Sequence, residues 1–267
     1  MIFQMIHPFL LARRHTTVLK GFVKKELFGR YAGSYAGVFW IVLEPLANIA
    51  VFHFIFSYVF RVRFDAAVSG TDSFTVYFLC AYFPWLIFSD AVVRSAGSVV
   101  GNAGLVTKVI FPVELLPLSS VLTPFLTHGA GFFLYLLYLV AKGYAGPVWL
   151  YMPLIVATHF VLCCGMAFLL SALVVFVRDI LQSLGILMMV WFYASPVLYP
   201  LSFVPEPIRS WLWANPMTYA LTCFRDVLLN GSFHWPIFAL FAMNATVLYG
   251  FGSWFFTKSK RAFADVL

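Results

Sequence analysis

The sequence carries little charge for its length. Of its 267 residues, 17 are Lys or Arg and 10 are Asp or Glu, so charged residues make up 10% of the chain. An ordinary soluble domain carries about 25%. With 63% hydrophobic residues and a mean hydropathy of +0.93, too few polar side chains remain to cover a water-soluble globule. A soluble enzyme or binding module is excluded, and we expect an integral membrane protein.

The chain also lacks the motifs that carry catalysis or nucleotide binding. It contains neither a G-x-x-x-x-G-K-[ST] phosphate loop nor an H-E-x-x-H zinc motif, so it has no visible means to hydrolyse a nucleotide itself. Its cysteines form no C-x-x-C pair and indicate neither a disulfide framework nor a zinc site; they are Cys80, Cys163, Cys164 and Cys223. We therefore expect no enzyme activity, catalytic residue, cofactor or metal in this chain.

Long apolar stretches dominate what is present. Six of them reach the length of about 20 residues that a spanning helix needs; they cover residues 36–60, 74–93, 115–140, 147–177, 180–203 and 236–256. Only Arg178 and Asp179 separate the fourth from the fifth. The pattern predicts an all-α integral membrane protein with a six-span domain over 36–257, an N-terminal tail over 1–35 and a C-terminal tail over 258–267.

Basic residues are unequally divided between the two sides of these spans. If the N-terminus is cytoplasmic, the inner segments hold 12 Lys and Arg and the outer loops hold 5. Cytoplasmic loops carry the excess of basic residues, so both termini are predicted inside. The formal charge of +7 then reflects membrane topology and anionic headgroups rather than nucleic-acid binding.

The N-terminal stretch 16–32 is too charged to span a membrane. At helical spacing Leu19 and Leu27 share an apolar face, whereas the lysines share another. This favours an interfacial helix on the inner leaflet, although a plain positively charged anchor is the alternative. Glu26 and Arg30 fall within the apolar arc at a spacing that lets them pair.

Two connecting segments have features of their own. The cytoplasmic segment (94–112) is rich in small residues, and its part 98–108 is either a short helix that touches another protein or a connecting loop. The outer segment (204–231) contains a predicted short helix over 208–213. A second helix is predicted to open with Asn215 as N-cap before Pro216 and to stop at 230–231. Both helices are too short to cross and are predicted to be re-entrant or interfacial.

Two acidic residues lie within predicted spans. Intramembrane ionisable groups are costly and therefore suggest function. If Glu44 and Asp90 lined a proton path, the chain would be a proton-coupled secondary transporter. Asp90, however, can pair with Arg94 four residues later, and Glu44 lies close enough to the inner end of its span to face a cavity. Internal repeats, which such transporters often contain, are not visible. A membrane-embedded transferase would need a polar cluster at one membrane face, and the sequence shows none.

An ordered set of residues resembles a known family, namely the membrane subunits of ATP-binding-cassette exporters of bacterial surface polysaccharide. The N-terminal part of the set is Lys25-Glu26-Leu27, Arg30-Tyr31, Gly33-Ser34, Gly37, Trp40 and Glu44-Pro45. The remainder is Lys108 with Pro112, Leu116-Pro117, Arg178-Asp179, Ser195-Pro196, Tyr199-Pro200, Val204-Pro205, Asn215-Pro216 and Phe224-Arg225. The resemblance runs from about Lys20 to Lys260.

The resemblance implies a function and partners. It implies a homodimer that encloses a channel in the bacterial inner membrane, with two copies of a separate ATPase that binds ATP and Mg. The implied substrate is a lipid-linked polysaccharide, foremost O-antigen on undecaprenyl diphosphate, with capsule and teichoic acid as the related polymers. The cytoplasmic segment would be the coupling segment that contacts the ATPase.

Candidate site residues follow from this function. A sugar ring packs its C–H faces on aromatic rings and needs polar partners for its hydroxyls, so the expected path combines both kinds of group. It comprises Phe39, Trp40 and Glu44 near the inner entrance and Tyr193, Ser195 and Tyr199 toward the outside. The expected outer gate is Trp211, Trp213 and Tyr219, and the expected ATPase contacts are Asn102 and Lys108 with Lys24, Lys25 and Glu26. The alternative for the aromatics is ordinary lipid-facing or interfacial packing.

Overall fold

The regular elements of the chain are helices. The computed structural model describes residues 2–30, 33–35, 37–60 and 65–267, and Tyr31 of the resemblance lies outside them. The α-helices are α1 (Ile2–Arg14), α2 (Thr16–Arg30), α3 (Trp40–His53), α4 (Ala66–Ser69), α5 (Phe74–Ser98), α6 (Ala103–Lys108), α7 (Leu115–Ala141), α8 (Met152–Phe176), α9 (Asp179–Tyr193), α10 (Glu206–Leu212), α11 (Pro216–Leu228), α12 (Trp235–Ser259) and α13 (Phe263–Val266). The prediction of an all-α integral membrane protein is confirmed.

Five helical stretches in the described part of the chain are long and apolar enough to cross a membrane. They are Trp40–Val59, Phe74–Ser98, Leu115–Ala141, Pro147–Phe176 and Trp235–Val266. The first includes α3 and the π-helical residues Phe54–Val59, and the fourth includes α8 and the 3-10 turn before it. These stretches coincide with five of the six predicted spans.

The fifth predicted span, 180–203, contains the shorter helix α9. This helix has 15 residues and ends at Tyr193, so at 1.5 Å per residue it is about 22 Å long. The hydrocarbon core of a bilayer is about 30 Å thick. The chain leaves the helix after Tyr193 and turns, with Pro196 and Pro200 in the segment that follows. The structure therefore leaves the count of six complete spans as a prediction.

The closest helix contact joins α8 to α12. A Cβ atom added at Gly252 would lie 2.2 Å from the carbonyl oxygen of Gly165, and one added at Gly165 would lie 2.6 Å from the backbone nitrogen of Tyr249. Small residues let two helix backbones approach in this way within a membrane. These two helices share the most extensive contact of the fold, and α5 packs against α7, α8 and α11 beside them.

Helices α3 and α9 lie at the edge of this bundle. In the most apolar part of the first span 6% of the residues are buried, whereas 72% of the residues are buried in the same part of the span formed by α5. In α9 only Leu184 and Met188 are buried. Both helices contact α5, and each leaves most of its apolar surface without a partner in the monomer.

The N-terminal region forms two helices where one was predicted. Helix α2 matches the predicted interfacial helix and packs on α7, whereas α1 was not predicted and packs on α12. The Phe9 ring of α1 stacks on the Tyr249 ring with 5.5 Å between centroids. The side chain of Arg30 lies outside the described residues, and Glu26 instead accepts hydrogen bonds from Ser119 Oγ at 3.1 Å and Ser120 Oγ at 2.9 Å.

Candidate functional site

The residues of the predicted inner entrance lie at the start of α3. Phe39 is exposed, and Trp40 Nε1 donates a hydrogen bond to Ser34 Oγ at 2.9 Å. One turn further, Glu44 lines a cavity of about 70 Å³ between α3, α5 and α7. The polar and aromatic groups on its wall are Asn48, Tyr82, Thr127 and His128. Glu44 therefore faces a polar cavity, as the sequence allowed.

A cluster of charged groups lies behind this cavity. Asp90 Oδ1 accepts a hydrogen bond from Arg94 Nε at 2.8 Å, which confirms the predicted pair. His128 Nε2 lies 3.0 Å from Asp90 Oδ2. His128 thus stands between Asp90 and the cavity that Glu44 lines. The carboxylate of Asp90, which is costly within a membrane, therefore has two partners. This is the structural role that the spacing between Asp90 and Arg94 predicted.

Asn215 connects the end of α9 with the start of α11. Its Oδ1 accepts hydrogen bonds from Met217 N at 3.0 Å and from Trp191 Nε1 at 2.9 Å. Its Nδ2 donates to Ser195 Oγ at 2.8 Å. The first contact is the predicted N-cap, whereas the other two were not predicted. Ser195, a predicted path residue, is buried and faces Asn215.

The two tyrosines of the predicted path lie on either side of the turn after α9. Tyr193 is 61% exposed, and the hydroxyl of half-buried Tyr199 donates to the Tyr193 carbonyl at 3.0 Å. Tyr199 therefore fixes the turn, whereas the Tyr193 ring projects from the monomer beside α9.

The predicted outer gate lies on α10 and at the start of α11. Trp211 is 80% exposed, and the rings of Trp213 and Tyr219 are 5.0 Å apart. Arg209 Nη2 donates to the carbonyl of Val204 at 2.9 Å and so ties α10 to the chain before it. Two short helices are present at the positions predicted for them, with α10 beginning two residues earlier than expected.

Arg225 of α11 is buried, although the sequence analysis counted it among the basic residues of the outer loops. It is 7% exposed, and its guanidinium carbon lies 3.7 Å from the centre of the Tyr77 ring. Its Nη1 and Nη2 donate to the carbonyls of Pro196 and Val197 at 2.5 and 2.8 Å. Burial lowers the pKa of this guanidinium. Arg225 thus holds the turn after α9 against α5 and α11, and its only signal in the sequence was its place in the Phe224-Arg225 pair.

The predicted ATPase contacts lie at the end of the bundle where α13 contacts α6. Lys25 Nζ donates to Asn102 Oδ1 at 3.4 Å, so α2 reaches the segment that opens α6. Lys24 and Lys108 are exposed, whereas Glu26 is directed toward α7 by its serine partners.

An ion pair that the sequence analysis missed lies at the same end. Lys260, directly after α12, pairs with Glu114, which is 2% exposed and precedes α7. Helix α13 also contacts α6. The segment that contains α6 is therefore held to α2 on one side and to the C-terminal end of α12 on the other.

Comparison with known proteins places this arrangement in a family. A family profile described as ABC-2 type transporter matches residues 17–229, which extends from α2 through α11. An O-antigen export system permease protein RfbA of Klebsiella pneumoniae is 28% identical over 245 residues, covering 91% of this chain and 92% of that protein.

Two further relatives show how widely the similarity extends. The O-antigen export system permease protein RfbA of Myxococcus xanthus is 30% identical over 254 residues, with 93% of this chain and 94% of that protein covered. The polysialic acid transport protein KpsM of Escherichia coli is 23% identical over 210 residues, 78% of this chain and 79% of that protein. The chain belongs to the ABC-2 type transporter family, and as such is a multi-pass membrane transport component that works with a separate ATPase rather than an enzyme.

Proposed function

We propose that this chain is the permease subunit of an ATP-driven exporter of lipid-linked polysaccharide. The proposed substrate is O-antigen on undecaprenyl diphosphate, carried from the cytoplasmic side across the inner membrane. One observation carries the proposal: the chain aligns over nine-tenths of its length with O-antigen export permeases from two bacteria. The proton-coupled alternative is not favoured, because the chain belongs to the ABC-2 type transporter family and Asp90 already has Arg94 and His128 as partners.

The edge helices α3 and α9 support a path between two copies of the chain. Both leave long apolar faces without an intramolecular partner, and isologous contact between two copies across a two-fold axis would cover them. A homodimer would then enclose a channel lined by Phe39, Trp40 and Glu44 at one end and Tyr193 at the other. Ser195 and Tyr199 would shape this path through the turn after α9, with Trp211, Trp213 and Tyr219 as the gate.

The end of the bundle that contains α6 supports the proposed ATPase contact. Exposed Lys108 lies at the end of α6, and Lys25 reaches Asn102 beside it. We place both termini and α6 in the cytoplasm, in line with the excess of basic residues there. Two ATPase copies would dock on the dimer at Lys24, Lys25, Asn102 and Lys108. ATP and Mg would be bound by the ATPase, and this chain would bring no cofactor.

Removal of aromatic groups from the proposed path tests this function. In a strain that lacks its own copy, Tyr193→Ala should reduce surface polysaccharide and leave lipid-linked polymer on the cytoplasmic side, since a ring that contacts sugar is lost. Phe251→Ala is the matched control, because Phe251 is an exposed aromatic on α12, a helix that contacts neither α3 nor α9 extensively. Polymer is measured on intact cells, with protein level and ATPase association measured in parallel.

The outcomes separate the path from the function. Normal export by the Tyr193 variant would reject the assigned path. A deletion strain that still displays its polysaccharide would reject the function itself. Transport by the purified chain with a proton gradient, and without ATP or the ATPase, would support the secondary-transporter alternative instead.

A further inference from the structure

A second cavity lies at the opposite end of the bundle from α6. It measures about 190 Å³ and lies between α4, α5, α11 and the turn after α9. The residues on its wall that matter here are Ser69, Tyr77, Ser202, Thr222, Arg225 and Asp226. None of them belongs to the predicted path, gate or ATPase contact.

Two buried polar atoms on this wall have no hydrogen-bond partner among the described residues. They are Ser69 Oγ and Arg225 Nε. Ser69 is 3% exposed, and the other two guanidinium nitrogens of Arg225 are already used by carbonyls. A buried polar group without a partner is destabilising. Both side chains line this cavity, where a bound molecule would offer them hydrogen-bond partners.

The charges of the wall favour a neutral ligand. Arg225 carries a positive charge, and Asp226, the next residue, carries a negative one. Both carboxylate oxygens of Asp226 already have partners. Oδ1 accepts a hydrogen bond from Asn230 Nδ2 at 3.0 Å, and Oδ2 lies 2.9 Å from His234 Nδ1. The paired charges give the cavity little net field to attract an ion. Three hydroxyl groups, from Ser69, Ser202 and Thr222, complete a wall of mixed donors and acceptors.

The size of the cavity restricts the ligand further. A volume of about 190 Å³ corresponds to roughly six water molecules of about 30 Å³ each. A single hydroxylated ring of five or six atoms fits this space. The hydroxyls of such a ring both donate and accept, as the mixed wall requires.

We propose that this cavity binds one monosaccharide residue of the exported glycan at the outer end of the protein. The proposal rests on the proposed function for the substrate class and for the outward orientation. Because the wall combines α5 and α11 with the turn that leads to α10, a sugar in the cavity would contact both the bundle and the base of the gate. The leading sugar residue of the glycan would thereby be held while the gate opens around it.

Protection of a single introduced thiol tests the site. Ser202 is exposed at the mouth of the cavity, and all four native cysteines are buried. Ser202→Cys in intact cells should react with an impermeant maleimide added outside. Oligosaccharides of one to three residues, prepared from the strain's own surface polysaccharide, should slow this reaction several-fold. Ser232→Cys, placed between α11 and α12 and absent from the cavity wall, should react at the same rate with and without sugar.

Variants of the wall sharpen the test. Thr222→Val and Ser69→Ala each remove one hydroxyl and leave the contacts of Arg225 intact, so each should weaken protection of the Ser202→Cys thiol. A thiol that sugar does not protect, or that reacts only from the cytoplasmic side, would overturn the proposal. Protection by inorganic phosphate but not by sugar would also overturn it, in favour of an anion site.

Failure of this inference is separable from failure of the proposed function. Export is first tested with the unsubstituted chain, reintroduced into the deletion strain. If that chain restores export and the Ser202→Cys thiol is not protected, the sugar site alone is wrong. If the deletion strain exports normally, the function is wrong and the site loses its substrate.

Discussion

The contact between α8 and α12 leaves no space for a methyl group. In Gly252→Ala the new Cβ would stand 2.2 Å from the Gly165 carbonyl oxygen, where ordinary contacts begin at 3.4 Å. The helices must separate by about 1 Å, and a gap of 0.5–1 Å forfeits a quarter to a half of the dispersion energy of the atoms that face each other. Overpacking of this kind costs about 1–3 kcal/mol. Ala favours a helix over Gly by about 1 kcal/mol, which offsets only part of this overpacking cost.

The buried thiols provide a direct assay for this loss. A dye that fluoresces on reaction with cysteine reports the unfolding of purified protein, since all four cysteines are buried. For chains of 150–250 residues about 1 kcal/mol corresponds to about 2–4 °C, so we expect Gly252→Ala to unfold several degrees below the parent protein.

A control isolates the effect of the close contact. Gly185→Ala is the matched variant, because a Cβ on this α9 glycine meets nothing within 4 Å. It should unfold at the parent temperature or slightly above it. A Gly252→Ala protein as stable as the parent would refute the close contact.

Three further predictions concern the polar contacts. Lys260→Met should lower the unfolding temperature more than Glu114→Gln, because Lys260→Met leaves the buried carboxylate of Glu114 unpaired. Breaking a fully buried pair costs about 3–5 kcal/mol. The variant with both substitutions should recover part of the lost stability. Asn215→Ala should cost at least the about 0.5–2 kcal/mol of a lost N-cap and reduce export, whereas Asn215→Asp should keep the cap. Asp90→Asn should lower stability by weakening the contact with Arg94 yet retain ATP-driven export; lost export at unchanged stability would revive the proton-path hypothesis.

Local signals in the sequence predicted some of the element boundaries. Asn215 before Pro216 opens α11 as expected, because an N-cap depends on the conformation of a few neighbouring residues. The break at Arg178 and Asp179 separates α8 from α9 for the same reason. Helix α1 was missed, since its short apolar run with Pro8 gains its support from packing against α12, which lies far along the chain.

Contacts between distant residues could not be predicted in this way. Glu114 and Lys260 are 146 residues apart, and nothing near either residue indicates the other. Arg225 looked like a loop charge because its partners, the carbonyls of Pro196 and Val197, are backbone groups that any sequence would supply. The path and ATPase residues remain predictions, because their proposed partners are a second copy, a polymer and another protein.

The shortness of α9 bears on the bilayer around the protein. A helix of about 22 Å beside a hydrocarbon layer of about 30 Å is a case of negative hydrophobic mismatch, which lipids relieve by local thinning. Around α9 the two headgroup layers would approach each other by up to about 8 Å. A channel that runs beside this helix would cross a shorter apolar layer than the membrane has elsewhere. The acyl-chain length of the host lipids therefore becomes a determinant of how readily the polymer passes.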